Sequence, residues 1–402
     1  MLLPKRLYYC FFLLCFQFFL GQNKFHVNYK KTDSLYPTID LDFSQNVITN
    51  AKSLQPLFEK LLRVKKDSLA RVSFVHIGDS HIQADMLTAV IRKELQLFFG
   101  NSGRGLVFPY QLAKSNGPSD YMFASNAIWK GSRLIKKNPD MPCGISGFVA
   151  QTELSNSSID FKFRNAIDTL QRFDKITFFT NNELKNIRFE NQTQPIAIGN
   201  GKIEAILSNP SLEFKMSFLD SVAPKIYGLS LENTNTKGIL YHTIGVNGAK
   251  FSDYNEAALF WEQLPQLDGD CYIFSMGTNE AQNFSLTPEN FIASIDQSIS
   301  KIRAVNPHAV FILATPPVSY YRKKHPNQKL KELSVAIATY SNQNSIAFWD
   351  LFAVSNELKG AKEWRKKQLL GGDLVHFTRK GYEVQGYLFT EALLKAWNDF
   401  VK

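Results

Sequence analysis

Hydrophobic positions follow three rhythms along the chain. The first residues form an unbroken block: behind Lys5 and Arg6, Leu7 to Leu20 is apolar apart from Gln17, and it ends at Gly21-Gln22-Asn23. A basic start, a short apolar run and a polar exit are the layout of a secretory signal peptide, here residues 1–21. The run is short of the ~20 apolar residues that a spanning helix needs; a retained N-terminal anchor is the alternative. After a polar leader, residues 22–52, apolar positions from Leu54 to Leu62 fall at helical spacing. Val72-Ser73-Phe74-Val75-His76-Ile77 then reads as a buried strand, ending at Gly78-Asp79-Ser80. Leu87, Ile91, Leu95 and Phe98 resume the helical period. Strand, tight turn and helix open an α/β unit.

The same rhythm returns late in the chain. Strand-like runs at Ile239–Ile244, Cys271–Met276, Val310–Ala314 and Ile346–Trp349 alternate with helical patterns over Tyr254–Leu264, Pro288–Val305 and Gln328–Asn344. Thr287-Pro288-Glu289 supplies a capping hydroxyl, a proline at the first helical position and an acid in the first turn. A last helix runs from Arg379 to about Trp397, capped by Thr378. Such alternation predicts a parallel sheet, with ligands beyond the carboxyl ends of its strands.

Between these halves the period changes to two. From about Tyr121 to Gly238, short runs such as Ile159–Phe163, Lys175–Phe179, Leu184–Phe189, Leu212–Phe218 and Lys225–Leu231 are separated by Asn, Ser, Gly and Pro. Phe161/Phe163 and Phe214/Met216/Phe218 each supply one core-facing row. Parallel strands would need crossover helices, and none are visible here. The expected organisation is an α/β domain, residues 53–120 and 239–402, interrupted at 121–238 by an all-β sandwich.

Composition narrows the partners. The net charge is +10, from 46 basic and 36 acidic residues, but the basic residues are scattered and no nucleic-acid motif accompanies them. Clusters such as Arg322-Lys323-Lys324 read as solvated faces. Removing the leader peptide leaves Cys143 and Cys271, too few for a disulfide framework. Cys271 opens an apolar strand, where a buried thiol is the simplest account. The histidines are dispersed without ligand spacing for zinc, so neither metal nor cofactor is expected. His76 lies inside a strand and reads as packed; His81 could bond a backbone carbonyl or touch substrate.

Four blocks can carry chemistry. Ser80, in Gly78-Asp79-Ser80-His81, sits in a strand-to-helix turn that exposes its hydroxyl near free backbone amides, although Asp-Ser there also suits an ordinary cap. Gly245-Val246-Asn247-Gly248 allows backbone to approach a ligand, or forms a plain turn. In Gly277-Thr278-Asn279-Glu280 the Asn amide can donate to an oxyanion, or satisfy a loop. Asp373-Leu374-Val375-His376 offers a base with a carboxylate to orient it, or a structural or metal-ligand pair.

In this order the blocks resemble the SGNH (GDSL-type) hydrolase family, named for a Ser, Gly, Asn and His matched here by Ser80, Gly248, Asn279 and His376. The resemblance covers roughly residues 65–118 and 239–400. It implies a three-layer α/β/α fold and metal-free ester hydrolysis. The implied roles are Ser80 as nucleophile, His376 as base and then acid, and Asp373 as its orienter. The Ser80 and Gly248 amides with the Asn279 side chain would form the oxyanion hole. One departure is Glu280, where the family's third block usually has Asp. Gly-Asp-Ser-His-Ile-Gln, the Gly-Thr-Asn-Glu variant and the inserted β-domain are similar to peptidoglycan O-acetylesterases, whose insert resembles a carbohydrate-binding module. The function so implied is an exported O-acetylesterase of a cell-wall polysaccharide, at the periplasm or cell surface. A lipase or thioesterase of the same fold, or a non-catalytic polysaccharide-binding protein, are the alternatives.

Overall fold

The computed structural model describes residues 25–164, 171–181, 184, 186–190, 197–199, 201–219 and 223–402. The signal-peptide reading of residues 1–21 lies outside the described residues. Six strands make the central sheet: Ile48–Thr49 (β1), Arg71–Gly78 (β2), Gly238–Gly245 (β3), Cys271–Ser275 (β4), Val310–Ala314 (β5) and Ala347–Trp349 (β6). Their order is β1-β6-β5-β4-β2-β3, and every pair is parallel except β1 with β6. Apolar residues on both faces bury these strands from two sides, as the continuous runs require.

Helices cover the sheet, giving the three-layer α/β/α architecture. Those used below are Gln55–Lys65 (α1), Ser80–Gln83 (α2), Met86–Phe99 (α3), Pro288–Val305 (α4), Lys329–Gln343 (α5) and Arg379–Phe400 (α6). Helix α6 packs along α3, and α4 along α5. Thr287 and Thr378 cap their helices by accepting the Asn290 and Gly381 amides. The helical pattern over Tyr254–Leu264 is broken into Phe251–Asn255 and Ala258–Gln263. The Trp261 indole donates to the Tyr254 carbonyl and the Asn255 side chain bonds to α4, which hold the break in place.

Register sets the site. Gly78 pairs with Gly245 of β3 and with Ser275 of β4. The loops that follow all three strands therefore leave the same sheet edge at one level.

The polar leader is part of this body. Val27, Ile39 and Leu41 are buried, and β1 joins the sheet edge. Asn398 and Val27 exchange two hydrogen bonds of 2.8 and 2.9 Å, and Trp397 donates to the Phe25 carbonyl at 2.9 Å.

The middle of the chain forms two antiparallel sheets, one of seven strands and one of four. Phe161 and Phe214 of the smaller sheet pack against Phe173 of the larger, with ring centroids 5.8 and 6.0 Å apart. Residues 160, 162, 213 and 215 of the smaller sheet face solvent in alternation with this core. Of the run Leu184–Phe189, Ile187–Phe189 forms a strand. One of the seven strands of the larger sheet is Gly103–Val107, from the segment expected to belong to the α/β part, antiparallel to Lys225–Glu232. All five of its residues are buried, so no alternation marks it. A Cβ on Gly105 would lie 2.3 Å from the Tyr241 carbonyl, which is how closely this strand crosses β3.

Candidate active site

Ser80 opens the one-turn helix α2 directly after β2. Asp79 caps that turn, its Oδ1 accepting the His81 amide at 2.9 Å. Gly78 is required just before it, because a Cβ there would sit 2.2 Å from Ile82 and 2.8 Å from the Ser275 carbonyl. Asp85, at φ +57°, ends the turn and lets α3 start in a new direction. The Ser80 hydroxyl is 2.7 Å from His376 Nε2, and His376 Nδ1 is 2.6 Å from Asp373 Oδ2.

The Asp-x-x-His run folds back on itself to make that geometry. Leu374 takes φ +61°, and Asp373 Oδ1 accepts the amides of Val375 and His376, both at 2.9 Å. Burial alone would raise the Asp373 carboxyl, but the imidazole and the two amides outweigh it and hold it at about 2. Asp373 is thus ionised at neutral pH. An ionised carboxylate accepts a hydrogen bond from Nδ1–H, which keeps the proton there and leaves the Nε2 lone pair for the serine hydroxyl. The side chains of His376 and Asp373 are 41% and 46% exposed, so a substrate can reach them.

Two further blocks converge here. Gly248 is exposed at φ +83°, and its amide makes no backbone hydrogen bond among the described residues; neither does that of Ser80. Gly245, the other glycine of that block, serves packing, since a Cβ would lie 2.2 Å from the Gln83 nitrogen. Asn279 Nδ2 donates to the Ala249 carbonyl at 3.0 Å and lies 3.4 Å from Asp79 Oδ2. Glu280, the departure from the usual Asp, is buried and accepts the Phe251 amide at 2.9 Å. Burial pushes Asp79 up to about 8 and Glu280 up to about 7.

Neither histidine near Ser80 in sequence reaches the cleft. His76 is bonded to the Tyr241 and Ser275 hydroxyls. His81 is buried, with Nδ1 at 3.0 Å from the Tyr382 hydroxyl, and burial lowers it to about 3. It bonds a side chain, not a backbone carbonyl, and it stands 5.4 Å from the His376 ring as a neutral neighbour. Among the described residues no cluster of three His, Cys, Asp or Glu has metal-site geometry.

Gln83 stands in Gly-Asp-Ser-His-Ile-Gln, but sequence reasoning gave it no role. It is 1% exposed, accepts the Asn247 amide at 2.6 Å and donates to the Asn116 carbonyl at 2.6 Å. A glutamine at the buried end of the nucleophile turn was its one signal.

Residues 224–384 match the model of the GDSL-like lipase/acylhydrolase family. Over that stretch the α/β body is similar to GDSL-like acylhydrolases. The matched stretch contains Gly248, Asn279, Asp373 and His376, whereas Ser80 lies ahead of the insert that splits the acylhydrolase fold. A solved structure named "Peptidoglycan O-acetylesterase in action" is similar over 88% of this chain and 99% of that one, at 21% identity and TM-score 0.75. It shares the fold, insert included. A lipase/acylhydrolase from Enterococcus faecalis is 20% identical, covering 40% of this chain and 77% of its own, at TM-score 0.31. No curated protein sequence matches the chain. The family match and the shared fold together support an esterase.

Proposed function

We propose that this acylhydrolase is an exported O-acetylesterase of a cell-wall polysaccharide, most specifically of peptidoglycan, working through an acyl-enzyme on Ser80. The observation that carries the reading is the hydrogen-bonded line from Ser80 through His376 to Asp373. Ser80 Oγ attacks the ester carbonyl while its proton passes to His376 Nε2, and Asp373 stabilises the imidazolium. The tetrahedral oxyanion is held by the Ser80 and Gly248 amides and the Asn279 side chain. Collapse breaks the bond to the sugar oxygen, which leaves with the proton from Nε2. Water, activated by the same imidazole, then attacks the acetyl-serine and releases acetate.

The substrate class is supported by the name of the structural neighbour, whose length and insert this chain shares. Export is supported by the basic and apolar opening of the sequence. Among the described residues no helix is long and apolar enough to cross a membrane. In this reading the insert, about residues 121–238, holds polymer beside the cleft.

The test is acetate release from a panel of O-acetylated polymers. Peptidoglycan should be deacetylated fastest, and Ser80→Ala should lower that rate by at least ~10³-fold, the usual cost of a lost triad member. Preference for long acyl esters would replace the reading with a lipase. A serine-directed organophosphate that labels another residue would remove Ser80 from its role.

A further inference from the structure

We infer that Gln83 and Asn116 are positioning residues that set the Gly248 amide against Ser80, making the chain that leads into the insert a working part of the oxyanion hole. The inference rests on the proposed role of Gly248 as an oxyanion donor.

The argument is a ruler built from few movable parts. Gln83 stands three residues after Ser80 on the one-turn helix α2, so its backbone is fixed relative to the nucleophile. Its Oε1 accepts the Asn247 amide at 2.6 Å. Asn247 immediately precedes Gly248, and the planar peptide between them carries the Gly248 N–H. One side chain and one residue's dihedral angles thus separate the nucleophile turn from the donor. The other end of Gln83 is also committed. Its Nε2 donates to the Asn116 carbonyl at 2.6 Å and to Ser115 Oγ at 3.1 Å. Asn247 closes the ring, its Nδ2 donating to Asn116 Oδ1 at 2.6 Å.

The insert grips the same loop from its far side. A Cβ on Gly248 would lie 3.4 Å from the Ile135 δ-carbon, and one on Gly147 would lie 2.5 Å from a Val246 methyl. The segment Val246–Gly248 is therefore held between α2 and the insert, with Gln83 and Asn116 as the polar tie. An oxyanion donor works only when its place is fixed before the charge develops. A misplacement of about 1 Å costs on the order of 10²-fold.

The test uses the full chain and p-nitrophenyl acetate, an ester too small to touch the outer face of the insert. Gln83→Leu should lower kcat by about 10- to 10²-fold with KM within about threefold. Asn116→Ala, at an exposed position, should lower kcat several-fold in the same way. Lys359→Ala, at an exposed position outside the insert, should leave both constants unchanged. If Gln83→Leu does not fold, Asn116→Ala decides alone. Native kcat in the folded variants, or a loss confined to KM, overturns the inference. Ser80→Ala is run in parallel. If it abolishes turnover while the positioning variants stay active, only this inference fails; if it stays active, the proposed function fails as well.

Discussion

Asn279 has two amide hydrogens and already gives both away. One goes to the Ala249 carbonyl at 3.0 Å, the other toward Asp79 Oδ2 at 3.4 Å. An oxyanion formed on Ser80 would draw the hydrogen held at the longer distance, while the shorter bond keeps the side chain aimed. Asn279→Ala should therefore cost roughly 10²–10³ in kcat with little change in KM. An effect on KM alone would make Asn279 a ground-state contact. The residues of the four blocks were legible because each is marked by its own neighbours in sequence: glycine at a strand end, or Asp three before His. Gln83 and His81 were not. Their partners Asn247 and Tyr382 lie 164 and 301 residues away, and only the fold brings them together. Polar side chains satisfied across the fold leave no local periodicity to read.

Among elements, the strand Gly103–Val107 and helix α3 are tied by charge. Asp85 bonds Arg92 at 3.0 and 2.7 Å and Arg104 at 2.6 Å, and Arg104 in turn bonds Asp120 at 2.7 Å. Arg92, Arg104 and Asp85 are all buried. Burial would raise the Asp85 carboxyl, but Arg104 and Arg92 outweigh it and hold it at about 2. Removing one member of such a cluster leaves the other charges stranded away from water. Asp85→Ala should cost ~3–5 kcal/mol of stability, measured from the urea midpoint. A loss below ~1 kcal/mol would mean that water enters and screens the arginines. The strand itself could not be read from Gly-Arg-Gly-Leu-Val, because two glycines and an arginine leave neither an unbroken apolar run nor an alternation. The leader escaped for a related reason: it docks through side-chain bonds to α6, not through an apolar stripe. Pro288–Val305 was legible from its helical period, and β2 to β6 from unbroken apolar runs bounded by turn residues.

At the scale of the whole molecule, the buried titratable groups predict a stability optimum. Burial lowers His76, His81 and His242 to about 3 each. It raises Asp79 to about 8 and Glu280 to about 7. In the unfolded chain histidines titrate near ~6.5 and carboxyls near ~4. Stability rises with pH wherever the unfolded chain binds more protons than the folded one. Between about pH 4.5 and 6.5 the unfolded histidines bind three protons that the folded ones refuse, while folded Asp79 and Glu280 keep two that the unfolded chain has lost. The net is about one proton, so stability climbs gently with pH, on the order of 1.4 kcal/mol per unit. Below about pH 4 the two acids are protonated in both states, and Asp85 and Asp373 join the histidines because they stay ionised only in the fold. Stability should fall steeply there. Above about pH 6.5 the histidines drop out and the buried acids act alone, so stability declines until each has ionised in the fold. Thermal midpoints at constant ionic strength should peak near pH ~6.5 and decline until about pH 9. Asp79→Asn keeps the oxygen that accepts the His81 amide and removes the more strongly raised acid. In that variant the decline should be shallower and should flatten near pH ~8, where Glu280 finishes ionising. An alkaline limb identical to the native one would show that Asp79 is already ionised in the fold at neutral pH, and that its buried charge is met by the amides around it.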